Sequence, residues 1–157
     1  MIEELLLSLP DGRNALVRSS VLKKILLYQQ HKSDDLEAGG ILIGRILEEN
    51  NNFIIDDASA PMPQDTRKRK GFKRSSEGHQ LYFDTVWEET GGHCFYLGEW
   101  HTHPEKDPTP SYVDIREWKR IIHLENESDT MFFIIVGTKR VRVWHGDRKT
   151  KQITGLR

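Results

Sequence analysis

Two histidines, His101 and His103, stand two residues apart in the segment Gly98-Glu99-Trp100-His101-Thr102-His103-Pro104. On an extended chain, positions i and i+2 face the same side, so both imidazoles can reach one ion. A catalytic zinc takes three protein ligands and keeps an open position for water. Further on comes Ser111-Tyr112-Val113-Asp114, which reads as the first turn of a helix. Pro104, Pro108 and Pro110 lie between and stop strand and helix alike, so the chain can turn back and bring Asp114 beside the histidines. Taken singly these signals are weak. His-x-His occurs by chance on surface strands, and Ser-x-x-Asp is equally a helix cap with an acid three residues on. Their combination at this spacing points to a metal site.

Those residues need a scaffold. Residues 4–8 and 15–18 read as short strands around the turn Pro10-Asp11-Gly12-Arg13-Asn14. Ser19 and Ser20 can cap a helix running to about His31, with Val21, Leu22, Ile25, Leu26 and Tyr28 as its apolar stripe. Residues 40–48 and 52–58 form a predicted hairpin with Glu49-Asn50-Asn51 at its turn. Residues 61–76 are expected to be an exposed loop, rich in proline and basic residues. A helix is expected from about Glu77 to Glu89, ended by Gly91-Gly92, and then a strand over 94–101. A further helix is expected from Ser111 to about Glu125. The nearly continuous apolar run Met131 to Gly137 should be a central, buried strand, with strands 140–145 and 150–154 closing the domain. This order predicts an α/β (α+β layered) fold, a mixed β-sheet flanked by helices.

Bulk composition narrows the function. The chain has 157 residues, enough for one domain spanning 1–157 with a real core. Its formal net charge of −1 marks it as neither a nucleic-acid nor a membrane binder. A single cysteine, Cys94, excludes an intramolecular disulfide and a multi-cysteine zinc site. The start, Met-Ile-Glu-Glu-Leu-Leu-Leu, has no basic region and too short an apolar run for a secretion signal, so a cytoplasmic protein is expected.

His101-Thr102-His103-Pro104, then six residues, then Ser111, two more and Asp114, resembles the full signature of the JAMM (MPN+, JAB) zinc metalloprotease family. The upstream stretch Glu37-Ala38-Gly39-Gly40-Ile41-Leu42-Ile43-Gly44 resembles that family's glutamate before a glycine-rich strand. The likeness is strong from Glu37 to Trp118. Other His-x-His families fit worse: Glu105 and Lys106 stand where a metallo-β-lactamase needs Asp and His, and zinc deaminases need a Pro-Cys-x-x-Cys that is absent.

The resemblance implies the JAB/MPN (cytidine-deaminase-like) fold and one Zn2+ per chain, held by His101, His103 and Asp114 with water as fourth ligand. It makes Glu37 the general base and Ser111 an oxyanion donor, a role compatible with capping the helix. Gly78-His79-Gln80, Gly91-Gly92 and the histidine segment are similar to a bacterial subgroup found in operons with E1- and E2-like enzymes, including the deconjugating peptidases of CBASS antiphage systems. The implied partner is a cGAS/DncV-like nucleotidyltransferase joined through its C-terminus to a target protein. Three alternatives stay open: a processing peptidase for a sulfur-carrier or ubiquitin-like precursor, a non-catalytic MPN interaction module, and a nucleic-acid repair factor with a related fold. The basic run Arg67-Lys68-Arg69-Lys70 reads first as a solvated loop, next as a surface for an acidic protein substrate, and last as a nucleic-acid contact. His79, His93, His123 and His145 read as structural or surface residues.

Overall fold

A computed structural model describes residues 2–156, so both ends of the expected 1–157 domain, Met1 and Arg157, lie outside the described residues. Strands β1 (Leu5–Ser8) and β2 (Asn14–Val17) form an antiparallel hairpin, and helix α1 (Ser19–Leu26) follows. Strands β3 (Gly39–Ile46) and β4 (Phe53–Ala58) make the expected second hairpin. Asn51 sits at its turn with φ 59, a conformation that asparagine tolerates. After a small hairpin, β5 (Thr66–Lys68) and β6 (Gly71–Lys73), come helix α2 (Ser76–Glu89), strand β7 (Phe95–Thr102) and helix α3 (Tyr112–His123). Strands β8 (Thr130–Val136), β9 (Val141–Asp147) and β10 (Ile153–Leu156) complete the chain.

Eight strands form one mixed sheet in the order β1-β2-β4-β3-β7-β8-β9-β10. The β2–β4 and β7–β8 pairs are parallel and the others antiparallel. Alternation sorts the apolar side chains onto two faces. Leu42, Leu97, Trp100, Phe132 and Ile134 join the buried residues of α1 in the largest core cluster. Ile41 and Ile43 face α2, while Phe133 and Ile135 face Trp118, Ile121 and Ile122 of α3. All seven residues of β8 are buried, as expected of a central strand covered on both faces. At about 25 cal/mol per Å², each such side chain contributes roughly 1.5–3 kcal/mol. The layered α/β expectation holds.

Two expectations needed correction. The stretch 61–76 is not all loop, since Arg67 pairs with Phe72 across the β5–β6 hairpin. Helix α1 ends at Leu26 rather than near His31. The cause is tertiary: the Gln29 amide donates to the carbonyl of Gly137, and the Gln30 amide to those of Asp35 and Arg69. No helix among the described residues is long and apolar enough to cross a membrane.

Candidate metal centre

β7 carries the histidines, and its local irregularity aims them. Its register with β3 shifts between Leu42 and Ile43, and Gly98 takes φ 138 at this bulge. A Cβ there would lie 1.7 Å from the Phe132 carbonyl oxygen, so only glycine fits. Beyond the bulge, Glu99 and His101 turn toward the face covered by α2 and α3, and the His101 ring lies 6.4 Å from that of Trp118. The His103 N–H continues the ladder by donating to the Val136 carbonyl at 3.0 Å. The proline-broken loop then folds over the β8–β9 turn, whose Thr138 N–H donates to the Glu105 carbonyl.

α3 brings in the third group. Ser111 is its N-cap: the Ser111 Oγ accepts from the Asp114 N–H at 3.1 Å, and the Asp114 carboxylate accepts from the Ser111 N–H at 2.8 Å. This reciprocal box fixes Asp114 as well as the helix end. The Nε2 atoms of His101 and His103 are 3.0 Å apart. Asp114 Oδ1 lies 3.2 Å from the first and Oδ2 lies 3.1 Å from the second. Donors bonded to a tetrahedral ion at about 2.0–2.1 Å stand about 3.3 Å from one another, so two imidazoles and this carboxylate fit zinc. A Glu37 carboxylate oxygen and the two histidine nitrogens also lie within 4.8 Å of one another. The shorter contacts favour Asp114 as the third donor, with Glu37 beside it.

The electrostatics follow from crowding. Burial pushes the Glu37 carboxyl up to about 7, with Asp114 and Glu105 adding to the rise and His103 opposing it. Burial works against charge on His103, but the hydrogen bond and charge of Asp114, with Glu105, outweigh it and raise that ring to about 9. Asp114 also loses hydration, yet the hydrogen bonds of the two histidines hold its carboxyl well below the usual carboxylate range.

Glu37 is buried at 5% exposure in the stretch before β3. Gly39, two residues on, is needed because a Cβ there would stand 2.7 Å from both the Phe72 ring and the Trp100 carbonyl oxygen. The basic run divides. Lys68, Arg69 and Lys70 are exposed, whereas Arg67 is half-buried and its Nε donates to the Glu37 carbonyl at 2.8 Å.

Several groups carried no sequence signal. Glu105 Oε1 lies 2.8 Å from His103 Nδ1 and so orients Nε2 inward. Thr102, between the histidines, donates its hydroxyl proton to Gln30 Oε1 and accepts from the Ala38 N–H. Arg74 makes a two-pronged pair with Glu99, whose carboxylate also accepts from the Tyr96 hydroxyl. His79 is buried between Ser59 Oγ at 2.6 Å and Asp65 Oδ2 at 2.8 Å. At 0% exposure Ser59 meets no substrate, so this trio braces α2 against β3 rather than doing chemistry.

Fold and site together define a JAB-type domain, a mixed sheet flanked by helices with a His-x-His strand facing a capped acid. A family model described as prokaryotic homologs of the JAB domain matches residues 19–146, and the chain belongs to that family. A CD-NTase/cGAS isopeptidase of Escherichia coli is 33% identical, covering 92% of this chain and 88% of that protein. One of Vibrio cholerae is 34% identical over 98% of this chain and 96% of its own. A probable metalloprotease of Sinorhizobium fredii, y4qB, is 35% identical over 62% of this chain and 59% of its own. The solution structure of a Desulfitobacterium hafniense protein, DSY2949, shares the fold with a TM-score of 0.59 at 15% identity, over 88% of this chain and 87% of that one.

Proposed function

We propose that this protein is a zinc-dependent JAMM peptidase. Its reaction releases a CD-NTase/cGAS-class nucleotidyltransferase from targets joined to that enzyme's C-terminus, as part of antiphage defence. The observation that carries the chemistry is the convergence of His101 Nε2, His103 Nε2 and Asp114 at 3.0–3.2 Å beside the buried Glu37. The printed names of the Escherichia coli and Vibrio cholerae relatives support the substrate class. E1- and E2-like enzymes would make the conjugates, and the reaction would run in the cytoplasm.

His101, His103 and Asp114 would hold the ion. Bound there, zinc supplies Lewis acidity that lowers the pKa of water and polarises a carbonyl. Glu37 takes a proton from the attacking water onto its carboxylate and delivers it to the departing amine nitrogen. The water oxygen bonds to the acyl carbon while the C=O electron pair moves onto oxygen, and the return of that pair expels the protonated amine as the C–N bond breaks, so the nucleotidyltransferase leaves with a free carboxylate and the target with a free amine. Its burial places the Glu37 carboxylate beside the converged ligands, where it can accept that proton and return it. The Ser111 hydroxyl, which accepts from the Asp114 N–H, keeps its own proton to donate to the oxyanion. Lys68, Arg69 and Lys70 present positive charge to an acidic partner.

The test is a nucleotidyltransferase of this class fused through its C-terminus to an unrelated reporter protein. Cleavage at the junction, lost on chelation and in His103→Ala together with bound zinc, is expected. Full zinc occupancy in His103→Ala removes that residue from the ligand set. Trimming of a sulfur-carrier precursor, with the nucleotidyltransferase fusion left intact, replaces this reading with a processing peptidase.

A further inference from the structure

We infer that Arg67 is a positioning residue for Glu37. The inference rests on Glu37 acting as the base, and it concerns what holds that base still. Residues 36–38 belong to no helix or strand, so the segment has no ladder of its own. On one side β5 grips it. The Glu37 N–H donates to the Lys68 carbonyl at 2.7 Å, and the Glu37 carbonyl accepts from Arg67 Nε at 2.8 Å. On the other side the Ala38 N–H donates to Thr102 Oγ1 at 3.0 Å, and the Thr102 N–H returns a bond to the Ala38 carbonyl at 2.9 Å. Thr102 lies between the two histidines, so this second grip ties the base to the strand of the metal ligands.

The two grips are closed by Gln30, buried at 2% exposure. Its oxygen accepts from the Thr102 hydroxyl and its amide donates to the Arg69 carbonyl on the hairpin. Arg67 is the one side chain among the described residues that donates to the Glu37 peptide group itself. That carbonyl plane sets ψ at residue 37, and ψ sets how the Glu37 side chain stands to β3. Removing the guanidinium leaves the Glu37 N–H bonded to Lys68 and the planar Glu37–Ala38 peptide held only through the Ala38 N–H on Thr102, so the segment stays attached while that plane loses one of its two anchors. A misplacement of about 1 Å at a reacting group can cost about 100-fold in rate. Arg67 therefore differs from its neighbours Lys68 and Lys70, whose side chains are exposed. The first serves turnover and the others capture.

The test uses the full, zinc-loaded chain with Arg67→Met, Arg67→Lys, Lys68→Met and Lys70→Met. Two readouts are needed: kcat and KM on the nucleotidyltransferase fusion, and amide hydrogen exchange at residues 36–38. Arg67→Met should lower kcat about 10- to 100-fold with KM changed less than about twofold, and should speed exchange at 36–38. Arg67→Lys, which can still donate to the carbonyl, should recover part of both. Lys68→Met and Lys70→Met should act on KM and leave that exchange slow. An effect of Arg67→Met confined to KM and copied by the two lysine variants overturns the inference. If the wild-type protein cuts no such fusion, the functional reading fails instead, and exchange decides the inference: wild-type protection at 36–38 in Arg67→Met refutes it.

Discussion

Replacing Glu105 with alanine should weaken zinc binding without touching a ligand. Glu105 Oε1 lies 2.8 Å from His103 Nδ1, and that contact turns the ring so that Nε2 faces His101 and Asp114, where the proposed ion would sit. Loss of such a partner typically costs about 10- to 100-fold in metal affinity, or about 1.4–2.7 kcal/mol. The exposure of the pair places this case within that range. The Glu105 side chain is 46% exposed and that of His103 only 9%, so water can replace part of the lost bond while the ring stays packed. The expected loss is therefore near the lower end, about tenfold. Glu105→Gln keeps an oxygen that can accept from Nδ1–H and should lose less, about threefold. The assay is competition for zinc against a fluorescent chelator at fixed pH and ionic strength. Wild-type affinity in Glu105→Ala would refute the orienting role. A loss beyond about 1,000-fold would also refute it, since that is the behaviour of a direct ligand.

Glu37→Gln should retain zinc and fold but lose about 10²–10⁴ in turnover of the fusion, and near-wild-type cleavage removes Glu37 as the base. Ser111→Ala should cost about 10²–10³ in kcat. With its cap gone it should also lose about 1 kcal/mol of stability, read as a thermal shift. His145, on β9, is buried with both ring nitrogens unbonded among the described residues, and burial holds its pKa below the ordinary value. As pH falls through about 6.5 the unfolded chain takes up this proton first, so stability drains away from there down to the folded pKa. His145→Leu should thus be more stable by about 1 kcal/mol near neutrality, with the gap widening toward acid in urea unfolding with chelator present. Parallel curves for the two proteins would show that His145 carries no such burden.

The candidate site could be picked out in the sequence because metal chemistry restricts donors to a few residue types at fixed spacing. His101, His103, Ser111 and Asp114 sit in two short segments, and each segment carries its own local rule, strand alternation or helix capping. β8 was legible for a different reason: burial on both faces leaves an unbroken apolar run. What escaped was whatever depends on distant partners. Gln29 and Gln30 look like the last turn of α1, but their amides are engaged by the carbonyls of Gly137 and Arg69, far along the chain. Three-residue strands such as β5 and β6 carry too few alternations to stand out from basic loop composition. Glu105 and Gln30 belong to no pattern, because hydrogen bonds to a ring nitrogen or a threonine hydroxyl impose no spacing along the chain. His79 read as an isolated histidine because its partners, Ser59 and Asp65, come from another part of the chain.

The bulge at Gly98 gives β7 two phases. Leu97 and Trp100, three positions apart, share one core cluster, while Tyr96 and Glu99, also three apart, meet on the other face. Upstream of Gly98 the strand pairs with β3 in one register, and from Gly98 onward it pairs with β3 in a shifted register and with β8 on its other edge. An extra residue before Gly98 can be taken up by enlarging an irregularity that already exists, and Glu99, His101 and His103 keep their orientation. The same insertion between His101 and His103 would set the two rings on opposite faces of the strand and leave only one at the candidate metal position. Length variation among relatives should therefore gather upstream of this glycine, and engineered grafts that lengthen the strand should be spliced there.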